Sequence, residues 1–283
     1  MNRPLVEPRL RQMARPATET ESRGAAASDL PLTAKIVKAL EANRFACEYQ
    51  PIVRADTEEV WAYEALARFS FDGEVVPPNR VFGALHQDRT LFFMLESRVK
   101  TFQLAHRPRG VRLFVNLDPQ VCEEPYQLDH WLESLSGHED LVVEIIENTS
   151  VTNQENIRRF MQRLSQVGVG AALDDIGGSQ NLFSFDLLDH CHYLKLDRRW
   201  FDRLAEHPSY RALLAGLIEF ARARGIHTVL EGIESRRDLS FARSLGVDFI
   251  QGFLFHDAFV TVKDVPLAVK REIVPTPSPT IVL

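Results

Sequence analysis

Cysteine, long apolar runs and nucleotide-binding glycine motifs are scarce or missing in this sequence of 283 residues. Its three cysteines, Cys47, Cys122 and Cys191, lie far apart without a Cys-x-x-Cys spacing, which predicts buried thiols in a reducing compartment. No apolar run reaches the roughly 18 residues that span a bilayer, and residues 1–30 contain no apolar stretch typical of a secretory signal. We therefore expect a cytoplasmic protein that does not act at a membrane.

A strong excess of one charge is also missing. The sequence has 33 Lys and Arg residues against 39 Asp and Glu residues, a net charge of −6. Bulk electrostatics therefore does not draw the protein to nucleic acid, and we expect no DNA partner. No predicted strand is followed by Gly-x-Gly-x-x-Gly or by Gly-x-x-x-x-Gly-Lys-Ser/Thr, so neither a dinucleotide site nor a P-loop is expected.

The two ends of the sequence differ from its centre. Residues 1–30 are rich in Arg, Ala, Pro and Glu without a sustained period, and residues 265–283 carry Pro275, Pro277 and Pro279. Both segments are predicted to be disordered tails, because neither can bury enough apolar surface to offset the entropy of ordering. The sequence between them, residues 31–264, is predicted to form a single domain.

Short β-like runs alternate with amphipathic helical patterns along this domain. Helices are predicted over residues 153–167, 209–224 and 235–245, each directly followed by a glycine. Eight strands, several of them apolar throughout, are predicted over residues 45–53, 60–68, 111–117, 141–147, 169–176, 193–197, 226–232 and 249–254. This alternation predicts an α/β fold, a TIM-like (β/α)8 barrel, with an open doubly wound sheet as the alternative.

Nearly every predicted strand carries a carboxylate, an amide or a lysine, often near its C-terminal end. A single such residue is usually a helix cap, a surface ion pair or a lysine that reaches solvent. A set of such residues on several strands indicates a functional site, because a charge inside an apolar strand is costly unless it is paired or bound to metal. In a parallel barrel these positions meet at one mouth, where barrel enzymes keep their sites. The residues are Glu64, Asn116, Glu144, Asp174, Asp175, Lys195, Glu231 and Gln251.

The chemistry of these side chains favours particular metal ions. Oxygen donors without Cys or His favour Mg²⁺ or Mn²⁺ over Zn²⁺. Asp174 and Asp175 could serve two ions, because at a strand end the backbone leaves its alternating geometry and neighbouring side chains can face the same mouth. Two hard cations suit the hydrolysis of a phosphate ester, since they stabilise the attacking and leaving oxygens together.

The segment Glu64-Ala-Leu-Ala-Arg68 resembles the signature of EAL domains, the bacterial phosphodiesterases specific for cyclic di-GMP. The resemblance extends from about residue 34 to residue 259, and the later motifs follow in the family's order at similar intervals. These are Gln50 in the first-strand motif, Asn116 in Val-Asn, Glu144, the Asp174-Asp175 pair, Lys195 in Leu-Lys-Leu-Asp, Glu231 and Glu234 in Glu-Gly-Ile-Glu, and Gln251 in Gln-Gly.

The resemblance implies a role for each matching residue. Lys195 orients the nucleophilic water, Glu231 is the general base, and Glu234 anchors the loop after Asp175. Arg68 grips a substrate phosphate with its planar fork of donors. Two ions, Mg²⁺ or Mn²⁺, are implied to be held by Glu64, Asn116, Glu144, Asp174, Asp175 and Glu231. The implied contacts to cyclic di-GMP are Gln50, Glu64, Leu66, Arg68, Asp197 and Gln251. The implied reaction opens cyclic di-GMP to linear pGpG.

The sequence also departs from the family's pattern. After Asp175 the family continues Phe-Gly-Thr-Gly-Tyr-Ser-Ser, whereas residues 176–182 here read Ile-Gly-Gly-Ser-Gln-Asn-Leu. Asp118 stands at a usual Ser. Further departures are Gly83 at a usual Pro, His86 at a usual Glu, and His256-Asp257-Ala258 at a usual Ser-Arg-Pro.

Two functions therefore stay open at this point. The first is an active cyclic di-GMP phosphodiesterase, of full or low activity, favoured because every metal and general-base position is filled. The second is a catalytically weak or inactive EAL domain that serves as a cyclic di-GMP receptor or a protein-interaction module, favoured by the altered loop. The family commonly dimerises through the loop and helix after the Asp-Asp motif, so the resemblance implies a homodimer through the loop and helix after Asp175. A regulatory protein partner is a further expectation.

Overall fold

Ten strands and nine helices make up the described part of the protein. The structure is a computed structural model that describes residues 30–146, 154–178 and 185–266. Nearly all of the two predicted tails and residues 179–182 of the altered loop lie outside these residues. The strands are β1 (Arg44–Arg54), β2 (Val60–Phe71), β3 (Glu74–Val76), β4 (Arg112–Leu117), β5 (Leu141–Ile146), β6 (Gly170–Ile176), β7 (Tyr193–Leu196), β8 (His227–Leu230), β9 (Phe249–Gln251) and β10 (Val260–Pro266).

The helices mostly lie between successive strands. They are α1 (Leu32–Ala42), α2 (Pro78–Gly83), α3 (Arg89–Ala105), α4 (Pro125–Leu135), α5 (Gln154–Gln166), α6 (Phe185–Leu188), α7 (Arg199–Glu206), α8 (Tyr210–Ala223) and α9 (Arg236–Leu245). Short 3₁₀ helices cover Pro119–Cys122 and Phe253–Ala258. The three predicted helices match α5, α8 and α9 to within one residue at each end.

Eight of the strands close into a barrel. Their order is β1-β2-β4-β5-β6-β7-β8-β9, and β9 pairs with β1 to complete the circle. All eight predicted strands are present, so the barrel prediction is confirmed and the open sheet is excluded.

The direction of β1 corrects the expectation of a parallel barrel. β2 and the six barrel strands after it run parallel, but β1 is antiparallel to both of its barrel neighbours, β2 and β9. The reason is the short connection from β1 to β2, residues 55–59, closed by a backbone hydrogen bond from Arg54 N to Glu59 O of 2.9 Å. A parallel pair needs a crossover of a dozen or more residues, so this length permits only a hairpin.

Two strands were not predicted from the sequence. β3 extends the β2 edge as a three-residue antiparallel partner, with Phe69 opposite Val76. β10 pairs antiparallel with the first half of β1, from Arg44 opposite Pro266 to Tyr49 opposite Val260. β10 therefore runs two residues beyond the predicted domain end at residue 264. The domain boundaries otherwise stay a prediction.

The barrel interior contains an apolar layer directly beneath the predicted site. Its members are buried, and Trp61 packs against them with its ring stacked on Phe249 at 3.8 Å. Side chains two positions apart on a strand face the same side, so this layer fixes the inward direction of the polar residues two positions away. The layer consists of Ile52, Ala62, Phe114, Val142, Ala172, Tyr193, Val229 and Phe249.

A second apolar cluster fills the space between the strands and the surrounding helices. The predicted apolar face of α5 is buried there through Ile157, Phe160, Met161 and Leu164. All three cysteines are buried and free, as predicted. Within the described ranges, no helix combines the length and the apolar character needed to cross a membrane.

Removing the Phe114 ring tests the apolar layer. Phe114 is fully buried and contacts the rings of Trp61 and Tyr193. We expect Phe114→Ala to lower the free energy of unfolding by about 3 to 5 kcal/mol in urea denaturation, since a large cavity remains. The control is Leu213→Ala, because Leu213 is 59% exposed and the loss of its side chain should cost no more than about 0.5 kcal/mol. Similar losses for the two variants would contradict the packing described.

Candidate active site

The predicted polar residues form a second layer above the apolar one, at the C-terminal ends of the parallel strands. On each parallel strand the polar residue comes two positions after the residue of the apolar layer, as Glu64 does after Ala62. The same offset of two places the other polar residues, which are Asn116, Glu144, Asp174, Lys195, Glu231 and Gln251. Because β1 runs the opposite way, Gln50 comes two positions before Ile52, and it lies opposite Glu64 in the β1–β2 register. The strand pattern therefore delivers these side chains to one mouth, as the sequence predicts.

Lys195 lies at the centre of this layer. Its side chain is 1% exposed, so it does not reach solvent. Its Nζ is within ion-pair distance of four carboxylates, namely Glu64 Oε2 at 3.1 Å, Glu144 Oε1 at 2.7 Å, Asp174 Oδ1 at 3.3 Å and Glu231 Oε1 at 2.8 Å. Burial lowers the pKa of Lys195, but these four acids outweigh that effect and hold its pKa well above the usual value. The ammonium is therefore the positive centre of an acidic cluster.

Glu64 is the most completely satisfied of the four acids. Its Oε1 accepts from Asn116 Nδ2 at 2.7 Å, and its Oε2 accepts from Gln251 Nε2 at 2.6 Å and from Lys195. Burial raises the pKa of Glu64, but the lysine and the two amides outweigh it and bring the pKa to about 2. Glu64 is therefore ionised across the whole physiological range.

The other acids compete for the same lysine. Burial, with the charge of Glu64, raises the pKa of Glu144 well above its usual value. Burial also raises the pKa of Asp174 despite the pull of Lys195. Burial raises the pKa of Glu231 to about 8, with repulsion from Asp174 and Glu64 adding to the effect. One lysine cannot balance four ionised carboxylates, so the fully ionised cluster lacks positive charge, and without a further cation these acids hold their protons to higher pH.

Three acidic residues lie close enough together to share a metal ion. One carboxylate oxygen from each lies within 4.8 Å of the other two; the residues are Asp174, Asp175 and Glu231. Asp175 has a φ of 57°, in the left-handed region, and the β6–β7 register is irregular between Leu173 and Ile176. This break in the strand brings two consecutive aspartates to one group. Burial, with Asp174 and Asp197, raises the pKa of Asp175 to about 6.

The residues present fit hard divalent cations. The donors are carboxylate and amide oxygens, the ligands that Mg²⁺ and Mn²⁺ prefer. Among the described residues, the buried Glu144 Oε2 and Gln251 Oε1 atoms have no hydrogen-bond partner. Buried acceptors without donors are costly, and a cation would satisfy them while offsetting the excess negative charge.

Two of the predicted substrate-binding residues, Leu66 and Arg68, line a cavity of about 660 Å³. Asn116, a predicted metal ligand, lines the same cavity. The Arg68 guanidinium donates to Glu48 Oε1 at 2.5 Å and to the Ala67 carbonyl at 3.0 Å. These two hydrogen bonds fix its orientation. Asp197 follows β7 and accepts a hydrogen bond from the Arg199 backbone N at 2.6 Å.

Glu234, the implied anchor of the loop, has an exposed carboxylate that pairs with Arg198 at 2.9 Å. Within the described start of the altered loop, residues 176–178, the side chains that donate to the backbone are Trp200 and Arg203. The predicted anchoring of the loop by Glu234 stays a prediction, because residues 179–182 lie outside the described chain.

The sequence did not identify two charged residues in the wall of the cavity. Glu96 and Lys100, one turn apart on α3, form a buried ion pair of 2.6 Å. Burial raises the pKa of Glu96. The available signal was two opposite charges at i and i+4 among apolar residues on the buried face of a helix.

Two departures from the family's pattern meet at the same cavity. His86 Nε2 lies 3.7 Å from Asp118 Oδ2, and both residues line the cavity. Burial raises the pKa of Asp118, and the nearby His86 opposes that rise. The two substitutions therefore place an imidazole beside a carboxylate, a contact that their separation in the sequence conceals.

The fold and the site define a barrel protein with a buried acidic centre at the carboxyl ends of its strands. The family profile of the EAL domain matches residues 33–258, and the chain belongs to the EAL domain family.

Known proteins resemble this chain over most of its length. The cyclic di-GMP phosphodiesterase RocR of Pseudomonas aeruginosa is 27% identical over 242 residues, covering 81% of this chain and 61% of RocR. The EAL domain of FimX from Pseudomonas aeruginosa, solved bound to c-di-GMP, has a TM-score of 0.66 at 24% identity, covering 78% of this chain and 93% of that one. The manganese and c-di-GMP complex of Klebsiella pneumoniae BlrP1 has a TM-score of 0.61 at 24% identity, covering 75% and 55%. The chain spans less than two thirds of the length of the curated relatives first matched.

The raised pKa of Glu231 predicts a pH dependence of stability without metal. Glu231 titrates near 8 in the folded protein and near 4.5 when unfolded, so unfolding releases a proton between these values. Rising pH therefore favours the unfolded state over this window. We expect the Glu231→Gln variant in EDTA to match the wild-type free energy of unfolding near pH 4.5 and to exceed it by a few kcal/mol at pH 8. Urea denaturation across this range measures the difference.

Titration of histidines does not change the difference in the free energy of unfolding between the wild type and Glu231→Gln. Burial lowers the pKa values of His130 and His192, which makes stability rise with pH, but both proteins contain these residues. A difference between the two proteins that is the same at every pH would contradict the assigned titration of Glu231.

Proposed function

We propose that this chain is a cyclic di-GMP phosphodiesterase that produces linear pGpG with two divalent cations, Mg²⁺ or Mn²⁺. The observation that carries the proposal is the buried mouth where the acids and amides of the EAL motifs surround Lys195 with a deficit of positive charge. RocR, which is named for this activity, and the manganese complex of BlrP1 support it. The three free thiols are consistent with the cytoplasm as its location.

The proposal assigns the cations to the acidic layer. Glu64, Asn116, Glu144 and Asp174 hold the first ion. Asp174 and Asp175 hold the second, and Glu231 and Gln251 reach the ions or their waters. When bound, the ions supply Lewis-acid activation of water and stabilise the charge on the attacking and leaving oxygens.

Two residues of the chain handle the proton and the water. Glu231 accepts the proton of the attacking water, a role suited to a carboxyl whose surroundings shift its pKa towards neutrality. Lys195, fixed by its four acidic neighbours, donates a hydrogen bond that orients that water. Both act from the ends of adjacent strands, β7 and β8, so their separation is set by the barrel.

The substrate lies across the mouth and the neighbouring cavity. Arg68 donates to a phosphate of cyclic di-GMP, with Glu48 orienting the guanidinium. The cavity of about 660 Å³ falls within the ordinary range for ligand pockets. The remaining proposed contacts are Gln50, Glu64, Leu66, Asp197 and Gln251.

The second candidate function is a catalytically weak or inactive EAL domain that binds cyclic di-GMP as a receptor or serves as a protein-interaction module. The pairing of Glu234 with Arg198 favours it, because that carboxylate then has a partner outside the altered loop. We also propose, in line with the family, a homodimer through the loop and helix after Asp175, and a regulatory protein partner. Phe185, 75% exposed at the start of α6, supports the dimer, and light scattering tests it.

Chromatography of cyclic di-GMP incubated with the purified protein tests the function. We expect pGpG with Mg²⁺ or Mn²⁺ and none with EDTA. Glu64→Ala should abolish the product and weaken metal-dependent nucleotide binding, because it removes a metal ligand that three side chains hold in place.

The Glu231→Gln variant separates binding from turnover. The amide keeps the shape of the side chain and removes the base, so we expect most of the nucleotide affinity in calorimetry and a rate lower by about 10²- to 10⁴-fold. Wild-type rates in this variant would contradict the role of Glu231. Tight binding without hydrolysis in the wild-type protein would select the receptor function instead.

A further inference from the structure

A buried tryptophan holds the backbone immediately after Asp175. Trp200, 4% exposed on the first turn of α7, donates its indole Nε1–H to the Ile176 carbonyl at 2.8 Å. The same carbonyl accepts from the Asp197 backbone N at 3.1 Å. The end of β6 is therefore tied to both the end of β7 and the helix that follows it.

Gly177 is shaped to receive this indole. Its φ is 94°, and a Cβ at this position would lie 2.4 Å from Trp200 Nε1, so no other residue fits beneath the ring. The Gly177 carbonyl accepts from Arg203 Nε at 3.1 Å, one turn further along α7. Trp200 and Arg203 thus bond two consecutive carbonyls of the turn.

These contacts act on the conformation of Asp175. Asp175 has a left-handed φ of 57°, which is unfavourable for a residue with a Cβ and persists only where the surroundings fix it. The turn that fixes it is closed by the Gly178 backbone N, which donates to the Asp175 carbonyl at 2.8 Å. A loosened turn would let Asp175 relax away from Asp174 and Glu231.

We infer that Trp200, assisted by Arg203, is the positioning residue for Asp175 in this chain. The pair holds the carbonyls of residues 176 and 177 from α7 and thereby sets the Asp175 carboxylate for the second cation. Glu234, which the resemblance implies as the anchor of the loop, pairs with Arg198. The consequence for the second cation rests on the proposed function.

Hydrogen exchange in the metal-free protein tests the positioning directly. Trp200→Phe keeps a ring and removes the donor, so the Asp197 and Gly178 amides should exchange roughly threefold to tenfold faster. The matched control is Trp131→Phe, because Trp131 is also buried and donates to a backbone carbonyl, that of Val121, at 2.9 Å. Unchanged exchange of both amides in Trp200→Phe would overturn the inference. Arg203→Met, at a partly exposed position, should give the same direction of change if Trp200→Phe does not fold.

Manganese titration by calorimetry tests the consequence for the site. We expect Trp200→Phe to bind the first ion as the wild type does and the second roughly threefold to tenfold more weakly. A purely structural role would affect both ions or neither, and either result would overturn the claim about the second ion. Wild-type protein that binds fewer than two ions would overturn the two-ion function and that claim together, while the exchange rates still decide whether Trp200 holds the turn.

Discussion

The buried ammonium of Lys195 is the interaction on which the mouth of the barrel depends. Its Nζ atom lies within 3.3 Å of an oxygen from each of four carboxylates. Ionised carboxylates this close together are too costly to bury without a cation among them. The amides of Asn116 and Gln251 are placed where they favour the ionised form of Glu64. The apolar layer and Trp61 lie beneath these groups and exclude water from that side. The low local dielectric strengthens the electrostatic interactions among them. The barrel strands therefore hold four acidic side chains around a single ammonium group.

Two departures from the family's pattern become understandable only as a pair, because His86 lies beside Asp118 although the two are far apart in the sequence. Gly177, which matches the family's pattern, shows the same dependence on a distant residue, because its lack of a Cβ leaves room for Trp200. A substitution that looks like decay at a single position is therefore a poor measure of whether the site still works.

The strands and the site residues can be predicted from the sequence where burial leaves a clear pattern of apolar residues. The strands are found because they are apolar runs, and Glu144 and Lys195 are found because charges inside such runs are costly. β3 and β10 are missed because a three-residue strand and an edge strand leave little pattern. The antiparallel direction of β1 follows from the short connection after Arg54, which is too short for a parallel crossover. Trp200 and the Glu96–Lys100 pair are missed because helical spacing identifies a buried face and not the bonds made on it.

The antiparallel placement of β1 also has a consequence for how the chain folds. β1 and β2 form a local hairpin, so Gln50 and Glu64 can be aligned by contacts close in sequence. The other side of β1 pairs with β9 and β10, which lie near the far end of the described chain. Loop closure over that distance carries a large entropic cost and makes this pairing slow. Gln251 therefore joins Glu64 only when the barrel closes, and the acidic centre cannot be complete in a chain whose last strands have not yet docked.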